Sequence, residues 1–301
     1  MKKIFNFDIT VNYNFLILPI IFFLLTFYFY SFIPTLEEIS STNEINFCKC
    51  VIFRLDDIQD YWINSGQIFV MNLFLSKNQS LSLGLIMNEL GDDPKIINKI
   101  NEGVNKGIFE LGLHGWNHID YTKLNKKEQK NSLTLANQKM ERLFGKKSEI
   151  FIPPKNLFND ATVKAMDRIN LNILSSSIDV EYNYNKGQSI FTTMEKEPDK
   201  EKNEIFHLPS TSSFKDEIDN KWIKSSITNI IENTTHNIDK YGYAVIVIHP
   251  QDFVKIVNGI FVNEMDYDEI QDLSNLINFL LAKNISITSF SKLVGINPKL
   301  E

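Results

Sequence analysis

From Phe47 onward, short apolar runs alternate with stretches whose apolar residues recur at helical spacing. Runs near 50–56, 81–87, 108–114, 149–153, 171–176, 204–208, 243–249 and 284–288 have the length and β-branched content of strands. Between them the spacing predicts helices over 63–77, 93–106, 125–144, 159–169, 216–240 and 267–283, and Asn159 is a suitable N-cap for the fourth. Strand followed by helix, repeated, predicts βα units and a largely parallel sheet. Seven or eight such strands with helices between them predict an α/β fold closed as a (β/α) barrel. The polar segment 181–203 reads as an excursion at the barrel edge.

The N-terminus follows another pattern. No charged residue lies between Val11 and Thr35, and Phe15–Ile33 is almost wholly apolar and aromatic. A helix needs roughly 20 such residues to cross a hydrocarbon core. Lys2 and Lys3 precede the run and Glu37 and Glu38 follow it, so the positive-inside bias places everything after Pro34 outside. Pro19 is tolerable in such a span. The expected organisation is a cytoplasmic start and transmembrane anchor over 1–34, a polar linker over 35–46 and a catalytic domain over 47–301. This makes a single-pass protein of the cell membrane with its domain extracytoplasmic. The alternative is a cleaved signal peptide and a secreted protein, although no small-x-small cleavage site follows the run.

Composition excludes some partners. The formal net charge is -6, so the chain lacks the basic footprint of a nucleic-acid binder. The two cysteines, Cys48 and Cys50, are close enough in sequence to pair with each other only under strain, which leaves free thiols, a bridge between chains or minor metal ligation.

The candidate chemistry gathers at strand ends. VIFRLDD closes on Asp56-Asp57, FELGLHGWNH on His114 and His118, and YAVIVIH on His249; EIFIPPK ends a further strand at the same relative position. In parallel α/β architectures that rim is where sites are built. Adjacent carboxylates can divide the work, one holding a cation while the other takes a proton. Two histidines four residues apart, with Gly115 permitting the turn between them, are normal ligands for zinc or a similar divalent ion. His249, before Pro250, suits protonation of a leaving amine. His207 and His236 read as structural and surface residues. Trp116, between the two ligand histidines, is a candidate pocket-lining residue, and Asp60, Asn117, Asn156 and Gln251 are candidates for supporting hydrogen bonds.

The order LDD, HGWNH, FIPPKN and IHPQDF resembles the polysaccharide deacetylase superfamily, the NodB-homology domain of carbohydrate esterase family four. The resemblance spans nearly all of residues 50–290 and implies a distorted (β/α) barrel. It implies one divalent metal ion, zinc, held by Asp57, His114 and His118, with Asp56 as catalytic base and His249 as catalytic acid. Pro154, Lys155, Trp116 and Arg54 fall on the expected substrate and oxyanion side, the Lys155 N–H facing the oxyanion. The implied reaction is removal of N-acetyl groups from a polysaccharide or other glycan. One departure is specific: the family's third motif usually has an Arg before its prolines, and this chain has Ile152. Arg54, two residues before Asp56 on the same strand face, is the expected substitute charge. Two other readings keep the fold: hydrolysis of another C–N amide or an ester, and a catalytically silent glycan-binding surface protein.

Overall fold

The computed structural model describes residues 48–177, 205–218 and 221–296. The expected anchor, the linker and the 181–203 excursion lie outside the described residues. Among those described, no helix is long and apolar enough to cross a membrane.

All eight expected strands form, each within a few residues of its expected bounds. They are β1 (Cys50–Ile58), β2 (Leu81–Leu85), β3 (Phe109–Leu113), β4 (Ile150–Phe151), β5 (Ile173–Leu174), β6 (Phe206–His207), β10 (Tyr243–Ile248) and β13 (Ser286–Thr288), with a further short strand, β7 (Ser212–Ser213). They make one parallel sheet ordered β6-β5-β4-β3-β2-β1-β10-β7, with β13 also on β1. β1 is the hub. One edge pairs with β10 from Cys50↔Tyr243 to Leu55↔Ile248. Its other edge pairs with β13 over Cys50–Ile52, then with β2 from Arg54 onward. The sheet is curled and fits the α/β barrel class. Among the described residues no ladder joins its end strands β6 and β7, each two residues long, as a distorted barrel allows.

Alternation along β1 places the site. Val51, Phe53 and Leu55 enter the large core shared with the helices. Cys50 and Ile52 face the other way, into a smaller cluster with Ile150, Ile173, Val245, Phe290 and Leu293. With a side-chain period of two, the next positions on that inner face are 54 and 56. The interior is thus apolar at the N-terminal end of the strands and charged at the C-terminal end. Helix α7 (Phe290–Ile296) plugs the apolar end. The Glu110 carboxylate on β3 accepts the Phe290 and Ser291 N–H groups, each at 2.9 Å, a favourable charge for a helix start.

The other helices are α1 (Asn64–Lys77), α2 (Pro94–Asn105), α3 (Lys126–Phe144), α4 (Asp160–Asp167), α5 (Ile227–Tyr241) and α6 (Tyr267–Ala282). Asn159 caps α4 as expected, accepting the Thr162 N–H. One expected helix is too long. Residues 215–224 form an antiparallel hairpin of β8 (Lys215–Ile218) and β9 (Lys221–Lys224), and α5 starts only after Ser226, whose side chain caps it. The Asp219-Asn220 pair between two four-residue segments is a turn signal that outweighs the helical spacing. A second hairpin, β11 (Val254–Val257) and β12 (Ile260–Met265), was not expected from the apolar pattern. Its loop is Asn258-Gly259, with φ 52° and 78°, both positive as a tight two-residue hairpin turn requires.

The cysteine expectation is also corrected: Cys48 and Cys50 are joined to each other. Lys49 between them takes φ 43°, which brings the two Cα atoms to 5.2 Å, inside the range a disulfide spans.

Candidate active site

Asp57 ends β1 where the register with β2 shifts between Leu55 and Ile58, and it takes a left-handed φ of 61°. Asp tolerates that conformation better than most residues. The kink turns Asp57 out of the strand's alternation, so adjacent aspartates occupy different environments.

The Asp57 Oδ1 atom lies 3.2 Å from His114 Nε2 and 3.3 Å from His118 Nε2. The three donor atoms all lie within 4.8 Å of one another. His114 follows β3 directly, and its Nδ1 is 2.8 Å from the Ile152 carbonyl. A carbonyl only accepts, so Nδ1 holds the proton and the Nε2 lone pair faces Asp57. His118 comes round through Gly115, at φ 86°, where any Cβ would meet the Asn117 carbonyl at 2.7 Å. Tyr121 braces this loop: its buried hydroxyl accepts the Trp116 N–H at 3.2 Å and bonds Ser132 at 2.7 Å.

These residues fit a divalent cation. The Asp57 Oδ1 atom is buried with no hydrogen-bond partner among the described residues. The His114 and His118 Nε2 atoms face it at 3.2 and 3.3 Å, and a cation held by all three atoms would satisfy it. Two nitrogens and one carboxylate oxygen form a three-ligand set that leaves a coordination position open, as catalytic zinc sites do. Burial would push the Asp57 carboxyl up, yet contact with His114 and the charges of His249 and His118 hold it well below the carboxylate range. Burial, reinforced by His114, lowers the pKa of His118, favouring the neutral ligand form.

Asp56 has different partners. Arg54 is fully buried beside it. Its Nε donates to Asp56 Oδ2 at 3.0 Å, and Nη2 lies 2.8 Å from the same oxygen. The remaining donors reach the Ser175 carbonyl and hydroxyl, at 3.0 and 2.9 Å, and Asn156 Oδ1 at 2.9 Å. The guanidinium is satisfied on every side, which a buried cation requires. Asp56 Oδ1 is left buried and without a hydrogen-bond partner among the described residues. Gly84 makes room for it, since a Cβ there would lie 2.8 Å from that oxygen. Ile152 is fully buried.

His249 follows β10. The Asp252 Oδ2 atom accepts its N–H at 2.7 Å and lies 3.8 Å from Nδ1. Burial would lower its pKa, but Asp252, then Asp56 and Asp57, push it up to about 9. In the turn after Pro153, Lys155 and Asn156 both take left-handed φ values, 59° and 57°. Pro154 is buried and Lys155 exposed; the Lys155 charge reaches His118. Trp116 is half-buried against the main core, with Lys139 Nζ 5.6 Å from its ring centroid.

The supporting candidates divide. Asn156 holds Arg54. Asp60 instead accepts the Gly91 N–H at 2.6 Å, and Asn117 the Asn88 amide at 2.9 Å, bracing loops away from the carboxylates. Gln251 is buried next to His249 in sequence. Ser175, Tyr121 and Asp252 escaped sequence reasoning. Asp252 alone had a usable signal, an acid three residues after His249.

His207 is buried and edge-on to Phe158, ring centroids 5.3 Å apart. Burial, then the charge of Arg54, lowers its pKa to about 3. The unfolded chain therefore binds a proton that the folded one refuses between about pH 6.5 and 3, and stability falls as pH falls through that window. At 1.36 kcal/mol per pH unit the loss is about 2 kcal/mol between pH 6.5 and 5. Urea midpoints of the metal-free protein over that range check this, and in His207→Gln the slope flattens to the smaller part that His118 contributes.

A curled parallel sheet with an Asp-His-His cup at the strands' C-terminal ends defines a hydrolase-type α/β domain. Residues 74–174 match the polysaccharide deacetylase family model. That match spans 101 of the 301 residues, from within α1 to the end of β5. Among solved structures it is similar to the Xyl-CE4 domain of a multidomain xylanase from the hindgut metagenome of Trinervitermes trinervoides. Identity is 15%, TM-score 0.53, and the match covers 84% of this chain and 94% of that one. A family 4 acetyl xylan esterase from Clostridium thermocellum, in complex with a cobalt ion, matches at 12% identity and TM-score 0.53, over 82% and 91%. A CE4 family pseudoenzyme from Bacillus anthracis matches at 15% and 0.53, over 82% of this chain and 65% of that one. At such identities the likeness is one of fold. No curated protein matches the chain.

Proposed function

We propose that this domain is a zinc-dependent hydrolase that removes N-acetyl groups from an extracytoplasmic glycan and is held at the cell membrane by the apolar run Phe15–Ile33. The observation that carries the reading is the convergence of Asp57, His114 and His118 beside an Asp56 whose second oxygen has no hydrogen-bond partner among the described residues. Asp57, His114 and His118 would hold the zinc, which when bound would supply a water of lowered pKa and polarisation of the amide carbonyl. Asp56 accepts the water's proton on Oδ1 while Arg54 holds Oδ2 in place. The Lys155 N–H, in its left-handed turn, donates to the developing oxyanion. His249, charged at neutral pH through Asp252, gives its proton to the departing amine. Trp116 and Pro154 line the sugar side.

The silent-protein reading has one observation in its favour, a pseudoenzyme among the structural relatives. The fully partnered Arg54 speaks against it, because a vacated site has no need of a buried guanidinium that holds a base. The test is metal analysis of the purified chain together with acetate release from N-acetylated chito-oligosaccharides and wall glycan. Bound zinc with acetate release is expected. Zinc without acetate would redirect the reading to another amide or ester, and absence of both would leave a binding protein.

A further inference from the structure

We propose that Lys215, on the β8–β9 hairpin, is a positioning residue for His249, acting through the turn that holds Asp252. The inference rests on His249 being the proton donor. The turn Pro250–Phe253 is buried throughout, and Asp252 is its critical member because its carboxylate faces both the N–H and the ring of His249. The turn is tied to the rest of the domain from elsewhere in the chain: the Asp266 N–H donates to the Phe253 carbonyl at 3.0 Å, and a second anchor reaches Asp252 itself.

Lys215 supplies it. Its ammonium, on a side chain 8% exposed, donates to the Asp252 carbonyl at 2.9 Å. On its other side lies Glu269 of α6, with Oε1 at 3.8 Å from Nζ. Glu269 is held in turn by Lys224, whose Nζ is 3.0 Å from Oε2 and 2.8 Å from Asp272 Oδ2. A chain of alternating charge thus runs from the surface of α6, through both strands of the hairpin, to the backbone of the catalytic turn. The apolar contact runs in parallel: Phe214, next to Lys215, packs against Phe253 with ring centroids 5.5 Å apart. Phe214 also donates its N–H to Val247 of β10 at 3.1 Å, tying the hairpin's root to the strand that delivers His249.

Packing alone does not require a lysine here. A methionine has a stem of similar length without the desolvation cost of a buried ammonium. What the ammonium adds is a directed bond to one carbonyl, and that carbonyl belongs to the residue that orients the acid. Supporting groups of this kind typically change activity 10–100-fold when removed, without touching substrate.

The test is Lys215→Met in the full chain, chosen because Glu269 keeps Lys224 as a partner and is not left as an orphaned charge. Hydrogen exchange of the His249–Phe253 segment is expected to quicken about tenfold or more while β1 and β2 stay protected. With zinc bound and N-acetylated chito-oligosaccharide as probe, kcat is expected to fall about 10–100-fold with KM and zinc content little changed. Lys215→Arg, which keeps a donor, is expected to recover part of the loss. Unchanged exchange in the turn overturns the proposal, as does a loss of kcat that tracks loss of zinc or of folded protein. If the wild type releases no acetate but the turn still loosens in the variant, the anchoring stands and the deacetylase reading falls.

Discussion

Asp57→Asn is expected to abolish tight zinc binding and to cut acetate release on the order of 1000-fold, since several kcal/mol of transition-state stabilisation is at stake and 1.36 kcal/mol is tenfold. Asparagine is the informative replacement. It tolerates the left-handed φ of 61° that Asp57 adopts, so the fold is retained while the charge is lost. Alanine would mix backbone strain with the loss of a ligand. The check that does not depend on turnover is thermal: zinc should raise the melting temperature of the wild type in a concentration-dependent way and leave that of the variant unmoved. A variant that takes up zinc with wild-type affinity would remove Asp57 from the metal site and the mechanism with it.

Arg54→Met is expected to cost both activity and stability, by separable routes. Arg54 and Asp56 are buried together, and deleting one partner of such a pair leaves an uncompensated charge, a loss of about 3–5 kcal/mol. Losing the guanidinium also frees Asp56 Oδ2 from its fixed position, and turnover is expected to fall by roughly 100- to 10,000-fold. The double variant Arg54→Met with Asp56→Asn should recover much of the stability, because no buried charge remains, and none of the activity. Arg54→Lys should fail to rescue, since a single ammonium cannot meet Asp56, Ser175 and Asn156 together. Wild-type turnover in Arg54→Met would show that the buried guanidinium is unrelated to catalysis.

The same pair shows how Asp56 is held although position 152 carries an isoleucine. Ile152 fills the space between Gly84 and Gly112, with its Cδ1 3.4 and 3.0 Å from where their Cβ atoms would be. Its carbonyl fixes the His114 tautomer. The positive charge moves to β1, two residues before the carboxylate it serves. Ile152 fits there because positions 84 and 112 carry no Cβ.

The strands and their order were legible because apolar runs of the right length bounded by turn residues depend on local properties. Position at a strand end is local too, which is why Asp56, Asp57, His114, His118 and His249 could be named from spacing. The helix expected over 216–240 failed in its first third, where the 215–224 pairing is set by contact between strands. The hairpin at 254–265 was announced by Asn258-Gly259, a signal stronger than the apolar pattern that was followed.

Sequence alone therefore determined the βα alternation, the strand ends bearing acid and imidazole, and Arg54 on the same face as Asp56, since a period of two follows from the backbone. Only the tertiary structure decided that Asp57 kinks out of that period to meet both histidines, that Ile152 sets the proton on His114, and that Ser175, Asp252 and Lys215 hold the working groups. Those outcomes depend on hydrogen bonds and charges between residues as much as 121 positions apart. Such contacts exist only once the sheet has curled and water has been excluded from its charged end.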